Sequence, residues 1–567
     1  MKLLSLVAAC ALVTASVEAK TFLFPIPQEV EWSGTTAVLS DKFAFQGIQN
    51  DNLQKAADRY IDLIKKERWV PVSVGTDNTT TTPTNNELEG INFQVSDNSA
   101  KVDLGVDESY TLDVPELGGF ATVKAKTWVG ALRSLETFSQ LVEADEEDNL
   151  VAHTANINDA PTYVHRGILL DTSRNYYPVK DILRTLEAQS YNKMNVLHWH
   201  VTDSQSWPLE LKSLPEISEK GAYSAKEVYT AEDVQNVIKH AEERGIRVVV
   251  EIDMPAHTAS IVESHPDAMI CTDVFWGPYA AEPPAGQLNP VSDYAYDLVK
   301  TIAKDVSEAF PDSVYHTGGD EINTKCWDLN EDVQAYKAKN NMTTLEVWFE
   351  WTTKFLDYVT TDLKKRPMLW EDPIRDGGDY DKNTIIQTWL SPPSTYTAQG
   401  YDVIVSNFDY FYLDCGHGGW LGLDERYHSP NQTETPEDVH NYAGNAGSWC
   451  GPFKTWQRIY GYDMTKGIEK DHTGKVLGGE LAMWAEQTGP TVIDGRLWPR
   501  SASAAEVYWS GSYNRDGERR TVKQSSERFY DWVYRMQARG INAEPVQPKY
   551  CATHPNACDL NDPSLEA

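Results

Sequence analysis

Carboxylates, imidazoles and indoles recur at the C-terminal edges of apolar runs: Asp171; His198, His200 and Asp203; Asp253 with His257; Asp320 and Glu321; Trp370 with Glu371; Trp389; Trp484 and Glu486. Tyr412 and Asp414 join them from an irregular stretch. Acids can hold or move protons, and an indole face packs against the C–H face of a pyranose while carboxylates take its hydroxyls. The set points to proton-transfer chemistry on a neutral sugar. Gly318-Gly319-Asp320-Glu321 is the sharpest local feature. Two glycines let the backbone turn closely, and successive acids in different surroundings can hold different protonation states. An Asp-Glu pair alone says little in a chain with 84 acids, most of them solvated; its place at a strand end gives it meaning. His198-Trp199-His200 sets two imidazoles on one face of a strand, where they could ligate a metal. Without a zinc-type cysteine spacing or a helical His-Glu-x-x-His set, they read instead as core histidines, and neither metal nor cofactor is expected. Trp207, Trp348 and Trp498 read as packing residues.

These residues need a scaffold that gathers strand ends at one mouth. After about residue 160 the chain alternates apolar, β-rich runs with helical periodicity. Eight runs are found, at 166–171, 196–203, 248–254, 314–321, 368–372, 384–389, 402–407 and 476–486. Helical patterns fall between many of them, and the alternation predicts an α/β fold, a (β/α)8 TIM barrel over 161–541 with a long loop at 407–455. Residues 20–160 read as a smaller α+β domain without catalytic residues. Its expected strands lie at 29–32, 70–74, 91–95 and 119–124, its helices at 53–66 and 130–143, and a solvated loop at 77–86. Residues 542–567 read as a terminal strap.

At 567 residues the chain has ample material for a large core, and 41% hydrophobic with 24% charged residues is the composition of a folded protein. A formal charge of −34 argues against nucleic acid or an anionic membrane as partner. Residues 1–19 read as a signal peptide: Lys2, an apolar stretch too short to span a bilayer, and small residues before Lys20. Secretion is the expectation. Removing Cys10 leaves Cys271, Cys326, Cys415, Cys450, Cys551 and Cys558, an even number suited to three disulfides. Fifteen pairings are open, of which neighbours in order close the smallest loops. Sequons at Asn78, Asn341 and Asn431 would be glycosylated on the surface in a eukaryotic host.

Four stretches resemble glycoside hydrolase family 20, the exo-acting β-N-acetylhexosaminidases: residues 165–174 (HRGILLDTSR), 191–200 (YNKMNVLHWH), 316–321 (HTGGDE) and 478–486 (GGELAMWAE). Residues 24–28 (FPIPQ) resemble the start of that family's N-terminal domain, and 412–420 (YLDCGHGGW) resembles secreted fungal or fungus-like members acting on chitin oligosaccharides. The resemblance implies a retaining mechanism in which the substrate's 2-acetamido oxygen is the nucleophile. Glu321 would be the acid and then the base; Asp320 would orient the acetamide; the Tyr412 hydroxyl would bind its oxygen. Trp370, Trp389 and Trp484 would wall the pocket, while Arg166 and Glu486 would bind the outer hydroxyls. Asp203 and His257 would form a relay behind Glu321, and Asp414 would meet the sugar's 6-position. A homodimer is common among such enzymes, though no feature of this chain fixes it. Two other classes compete: a sugar-binding protein with a dead site, which would need a damaged acid pair, and a metallohydrolase built on His198 and His200.

Overall fold

A computed structural model describes residues 22–73, 82–421, 450–554 and 556–560. The signal-peptide reading, Asn78 and Asn431 lie outside the described residues.

The first unit is a six-stranded sheet of β1 (Glu29–Gln46), β2 (Thr82–Asp97), β3 (Tyr110–Val114), β4 (Gly119–Thr127), β5 (Val142–Ala144) and β6 (Leu150–Asp159). The order is β1-β2-β4-β3-β6-β5, and β1 also pairs with β6. Strand β3 alternates buried and exposed positions, the pattern of a sheet with one covered face. Two helices cover it, α1 (Asp51–Glu67) and α2 (Trp128–Leu141). The Asn50 side chain accepts from Leu53 N at 2.9 Å and so caps α1 at its start. Every residue of α2 is buried, Arg133 and Glu136 included, because it lies between this sheet and the barrel. Arg133 spans the junction: Nε donates to Glu108 at 2.7 Å and Nη2 to the Gly245 carbonyl at 2.6 Å.

Two expectations for this unit fail. Residues 70–73, expected as a strand, are irregular: the N–H groups of Val72 and Ser73 donate to the Asp531 carboxylate at 2.7 and 3.2 Å instead of to a sheet. The loop expected to run to 86 ends earlier, since β2 begins at Thr82 and pairs in parallel with β1 there.

The second unit is a closed barrel of parallel strands β7 (His165–Asp171), β8 (Val196–Thr202), β9 (Arg247–Ile252), β12 (Val314–His316), β13 (Arg366–Trp370), β14 (Ile385–Thr388), β15 (Asp402–Val405) and β16 (Val476–Met483), with a small hairpin of β10 (Met269–Ile270) and β11 (Gln287–Leu288) between β9 and β12. Helices such as Val179–Tyr191, Ala231–Glu242, Asp293–Ala309 and Thr344–Thr361 form the outer ring. This is the expected (β/α)8 barrel behind a smaller N-terminal domain.

Inside the barrel the period-two alternation of each strand stacks side chains in layers. Val196, Val249, Val314, Met368, Ile385 and Ile404 close the floor. Two residues further along, His198, Glu251, His316 and Gln387 form a polar middle layer with Glu480 of β16, all fully buried. Above them lie Leu169, Trp370, Trp389, Tyr412 and Ala482.

The helix Val522–Ala538 locks the two units together. Arg535 and Arg539 both reach Glu67 at 3.0 Å, and Arg539 also reaches Glu136 at 2.9 Å. The cysteines pair as neighbours: Cys271–Cys326, Cys415–Cys450 and Cys551–Cys558. Among the described residues no helix is long and apolar enough to cross a membrane.

Candidate active site

The C-terminal ends of the strands bring acids, an imidazole and aromatic rings together. After β12 the chain makes a tight turn with Gly318 at φ +63° and Gly319 at φ +100°, and Gly319 N donates to Asp253 Oδ1 at 2.8 Å. A Cβ on Gly318 would sit 1.9 Å from that same oxygen, so only glycine fits. The turn delivers Asp320 and Glu321, and Glu321 itself stands at φ +55°. His257, which follows β9, is at φ +53°. Two side chains held in the left-handed region and bonded to each other mark a site where packing overrides backbone preference, at a cost of about 1–3 kcal/mol each.

His257 bridges two carboxylates: Nδ1 lies 3.0 Å from Asp203 Oδ1 and Nε2 lies 3.2 Å from Glu321 Oε2. Asp203 also takes His200 Nε2 at 2.8 Å and Arg174 Nη2 at 3.0 Å. Burial would raise the Asp203 carboxyl, but Arg174, His257 and His200 hold it far below the usual range, so it stays ionised. Asp320 has the opposite setting. Burial and the neighbouring Asp253 push it well above an ordinary carboxyl, and burial, with help from Glu251, lifts Asp253 to about 7. The two carboxyls act on each other, so once one has ionised the other is harder to ionise than it would be alone. Asp320 Oδ1 is buried with no hydrogen-bond partner among the described residues, an acceptor left for a ligand.

Aromatic rings cluster beside these acids. Trp370 and Trp484 meet at 6.0 Å between centroids, Tyr412 and Trp484 at 6.0 Å, and Trp389 stacks with Tyr412 at 6.5 Å and 8°. Two of the indoles are anchored by hydrogen bonds, and Tyr412 by its neighbour's backbone. Trp370 Nε1 donates to Glu251 at 2.8 Å, Trp389 Nε1 donates to Asp372 at 2.7 Å, and the segment after Tyr412 is fixed by Leu413 N donating to Ala482 O at 2.9 Å. Burial and the Asp320 charge raise the Tyr412 phenol, which keeps its proton as a hydrogen-bond donor.

Asp414 and Glu486 lie near each other, and Glu486 is near Arg174. The Arg174 guanidinium bonds Asp171 at 3.2 Å and Glu282 at 3.4 Å and lies 5.1 Å above the Trp484 ring. Burial lifts Asp414 to about 7, and burial with the Glu282 charge lifts Glu486.

Arg166 does not belong here. It sits at the start of β7, at the opposite end of the barrel, fully buried, bonding Glu108 at 2.6 Å and the carbonyls of Lys193 and Tyr163. The arginine of the same stretch that reaches Asp203 and the Trp484 ring is Arg174. Asp253 and Glu282 are also absent from the sequence-based site. Asp253 had a signal at its strand end; Glu282, in an irregular loop, had none. His198 and His200 are held by carboxylates: His198 Nδ1 by Glu480 at 2.9 Å and His200 Nδ1 by Glu251 at 2.7 Å. His198, Glu251 and His316 are near enough to share an ion, but His316 Nδ1 already accepts Gly318 N–H at 3.0 Å and Glu251 takes the donors just named. Trp207, Trp348 and Trp498 are buried in the core. Asn341 is exposed at the end of the helix Glu331–Asn340.

The family described as "Glycosyl hydrolase family 20, catalytic domain" matches residues 163–512, and "beta-acetyl hexosaminidase like" matches 23–141. A β-hexosaminidase 1 from Coccidioides posadasii is 36% identical, the alignment covering 94% of each chain. A chitooligosaccharidolytic β-N-acetylglucosaminidase from Bombyx mori is 33% identical over 90% of this chain and 84% of its own. Among solved structures, Flavobacterium johnsoniae chitobiase superposes with a TM-score of 0.73 at 27% identity, covering 92% of this chain and 73% of that one.

Proposed function

The chain belongs to glycoside hydrolase family 20 as an enzyme of the β-hexosaminidase class, and from that premise we propose that it is a retaining exo-β-N-acetylhexosaminidase that uses its substrate's acetamide as nucleophile. The observation that carries this reading is the unlike pair Asp320 and Glu321: one carboxyl is buried against Asp253 with an unused acceptor oxygen, and the other is hydrogen-bonded to the His257–Asp203 line. In this reading Asp320 accepts the acetamide N–H as a carboxylate, which requires its neighbour Asp253 to carry the proton. The acetamide oxygen then attacks C1 as the bond to the leaving oxygen breaks, and Glu321 gives that oxygen its proton. Ionised Asp320 stabilises the positive oxazolinium, and Tyr412 O–H steadies the acetamide oxygen. Water next attacks C1, loses a proton to Glu321, and releases the oxazolinium C–O bond with retention overall.

Trp370, Trp389 and Trp484 enclose the sugar face and N-acetyl group, while Arg174, Glu486 and Asp414 take the outer hydroxyls and end the pocket, which makes the cut exo. Chitin oligosaccharides are the proposed substrate, supported by the likeness to the Bombyx mori enzyme and by the Tyr412–Trp420 segment. Secretion is proposed from residues 1–19 and agrees with three disulfides.

The test compares an aryl β-N-acetylglucosaminide with the matching β-glucoside. Turnover of the first alone is expected; equal turnover would assign the nucleophile to the protein. Glu321→Gln should cut kcat by roughly 10²–10⁴-fold with secretion intact, the range a general acid supplies. Asp320→Asn should be comparably severe, because a neutral amide cannot match the developing charge.

A further inference from the structure

The middle layer of this barrel is ionic where aliphatic side chains are the usual filling. Its members form one line in which carboxylate and imidazole alternate. Glu480 of β16 takes His165 Nε2 at 2.7 Å, Gln387 Nε2 at 2.8 Å and His198 Nδ1 at 2.9 Å. His198 Nε2 lies 2.9 Å from Glu251, a charge contact out of line for a hydrogen bond. Glu251 takes His200 Nδ1 at 2.7 Å, and His200 Nε2 reaches Asp203 at 2.8 Å. From Asp203 the line continues through His257 to Glu321. Five members, Glu480, His198, Glu251, His200 and Asp203, are within 1% of full burial.

Both nitrogens of His200 face carboxylates. A neutral imidazole has one N–H, so only the imidazolium satisfies both partners. His316, a third imidazole against Glu251 beside His198 and His200, is neutral by the same logic, because its Nδ1 accepts Gly318 N–H and its Nε2 faces Gln387 Oε1 at 3.2 Å. The charge on His200 thus depends on Glu251, and the orientation of Asp203 depends on His200. Trp370 hangs from the second oxygen of Glu251.

We infer that Glu251 and His200 are positioning residues for proton transfer at Glu321, holding Asp203, and through it His257, in place from the centre of the barrel. This rests on the reading of Glu321 as general acid. Replacing Glu251 by glutamine leaves its volume but removes one of the two carboxylates that face His200, leaving only Asp203 to support its charge. That ring gives up a proton, Asp203 loses a charge-assisted donor, and the His257–Glu321 contact is no longer held from behind.

The inference separates from mere barrel filling by its dependence on the leaving group. A dinitrophenolate departs without a proton; the sugar alkoxide of chitobiose does not. For Glu251→Gln and His200→Gln, kcat/KM on chitobiose should fall roughly 100-fold, the lower end of general-acid effects, while the 2,4-dinitrophenyl glycoside loses less than about tenfold. Trp370→Phe cuts the other contact of Glu251 and should lower both substrates alike. Equal losses on the two substrates in the Glu251 and His200 variants, or no loss at all, would overturn the inference. If Glu251→Gln does not fold, His200→Gln carries the test. Glu321→Gln is the control: without a leaving-group split there, the failure belongs to the acid assignment and not to Glu251.

Discussion

A single methyl group at Gly318 is the smallest change expected to disable the site. Its Cβ would sit 1.9 Å from Asp253 Oδ1 at a φ of +63°, so both the turn and the Asp253 carboxyl would have to move. Gly318→Ala should cost at least about 1 kcal/mol in stability and take most of the activity with it, read by thermal melting and kcat together. Preserved kcat would show that the turn tolerates displacement. The arginines of the 165–174 stretch should behave as opposites. Arg174→Met is expected to raise KM, since it removes the cation between Asp171, Asp203 and Glu282. Arg166→Met should leave KM unchanged and lower the melting temperature, because it strips Glu108 of a buried partner at 2.6 Å. The sequence held the information to separate them. Arg166 precedes the core of its strand and Arg174 follows it, and seven residues at about 3.3 Å each put the ends of β7 on opposite faces of the barrel. The strand-end rule that found Asp171 excludes Arg166 when applied to the same stretch. On the proposal that Asp414 meets the sugar's 6-position, an anionic 6-substituent would face its half-buried carboxyl, so a 6-sulfated substrate should be hydrolysed poorly; rates equal to the unsulfated sugar would remove Asp414 from that position.

Among the elements, barrel strands were the most legible part of the chain, because a strand buried on both faces is a continuous apolar run that turns polar where it leaves the sheet. All eight were readable, although most ladders are shorter than the runs: Val314–His316 pairs as a strand and the following five residues form the rim. Glu251 and Glu480 were hidden by the same logic, as acids inside runs read for their apolar content. The N-terminal sheet was less legible. Strand β6, Leu150–Asp159, gave no clear pattern, since its residues are buried by contacts far away in sequence with β1 and β3. The buried face of α2 depends in the same way on the barrel behind it. Glu108 serves two buried arginines there, Arg133 at 2.7 Å and Arg166 at 2.6 Å. Glu108→Ala would leave two charges without a counter-ion in the junction and should destabilise by about 3–5 kcal/mol. The exposed pair Lys55–Glu243 joins the same two units, and Glu243→Ala there should cost no more than about 1 kcal/mol. Similar losses in the two variants would mean that the junction is not held by its buried charges.

For the whole molecule, the shifted groups set a pH at which the fold is most stable. Burial lifts Asp253 and Asp414 to about 7 and Asp372 and Asp531 to about 6. An acid raised in the folded state binds a proton that the unfolded chain has already lost above about pH 4, so its stabilising contribution is full below that pH and disappears as pH rises through 6–7. Burial opposes charge on His198 and His200, but Glu480 and Glu251 override it and push them to about 9 and about 10. Their contribution is full below about pH 6.5 and is lost as pH climbs through 9–10. Asp203, Glu251 and Glu480 act in the other direction. Burial would raise them, but the facing imidazoles, with Arg174 at Asp203, hold them low; their contribution is present above about pH 4 and lost as the medium becomes more acidic. The two sets cross on the acid side of neutrality, and a net charge of −34 adds self-repulsion as the remaining carboxyls ionise. Thermal melting at a fixed scan rate should therefore give a maximum near pH 5 and a lower midpoint at pH 8, by roughly a few degrees for a chain of this size. Glu251→Gln should flatten the alkaline side of that curve, because a His200 already neutral has no proton left to lose, whereas a midpoint that rises from pH 5 to pH 8 in the unaltered enzyme would mean that the buried imidazoles carry no charge.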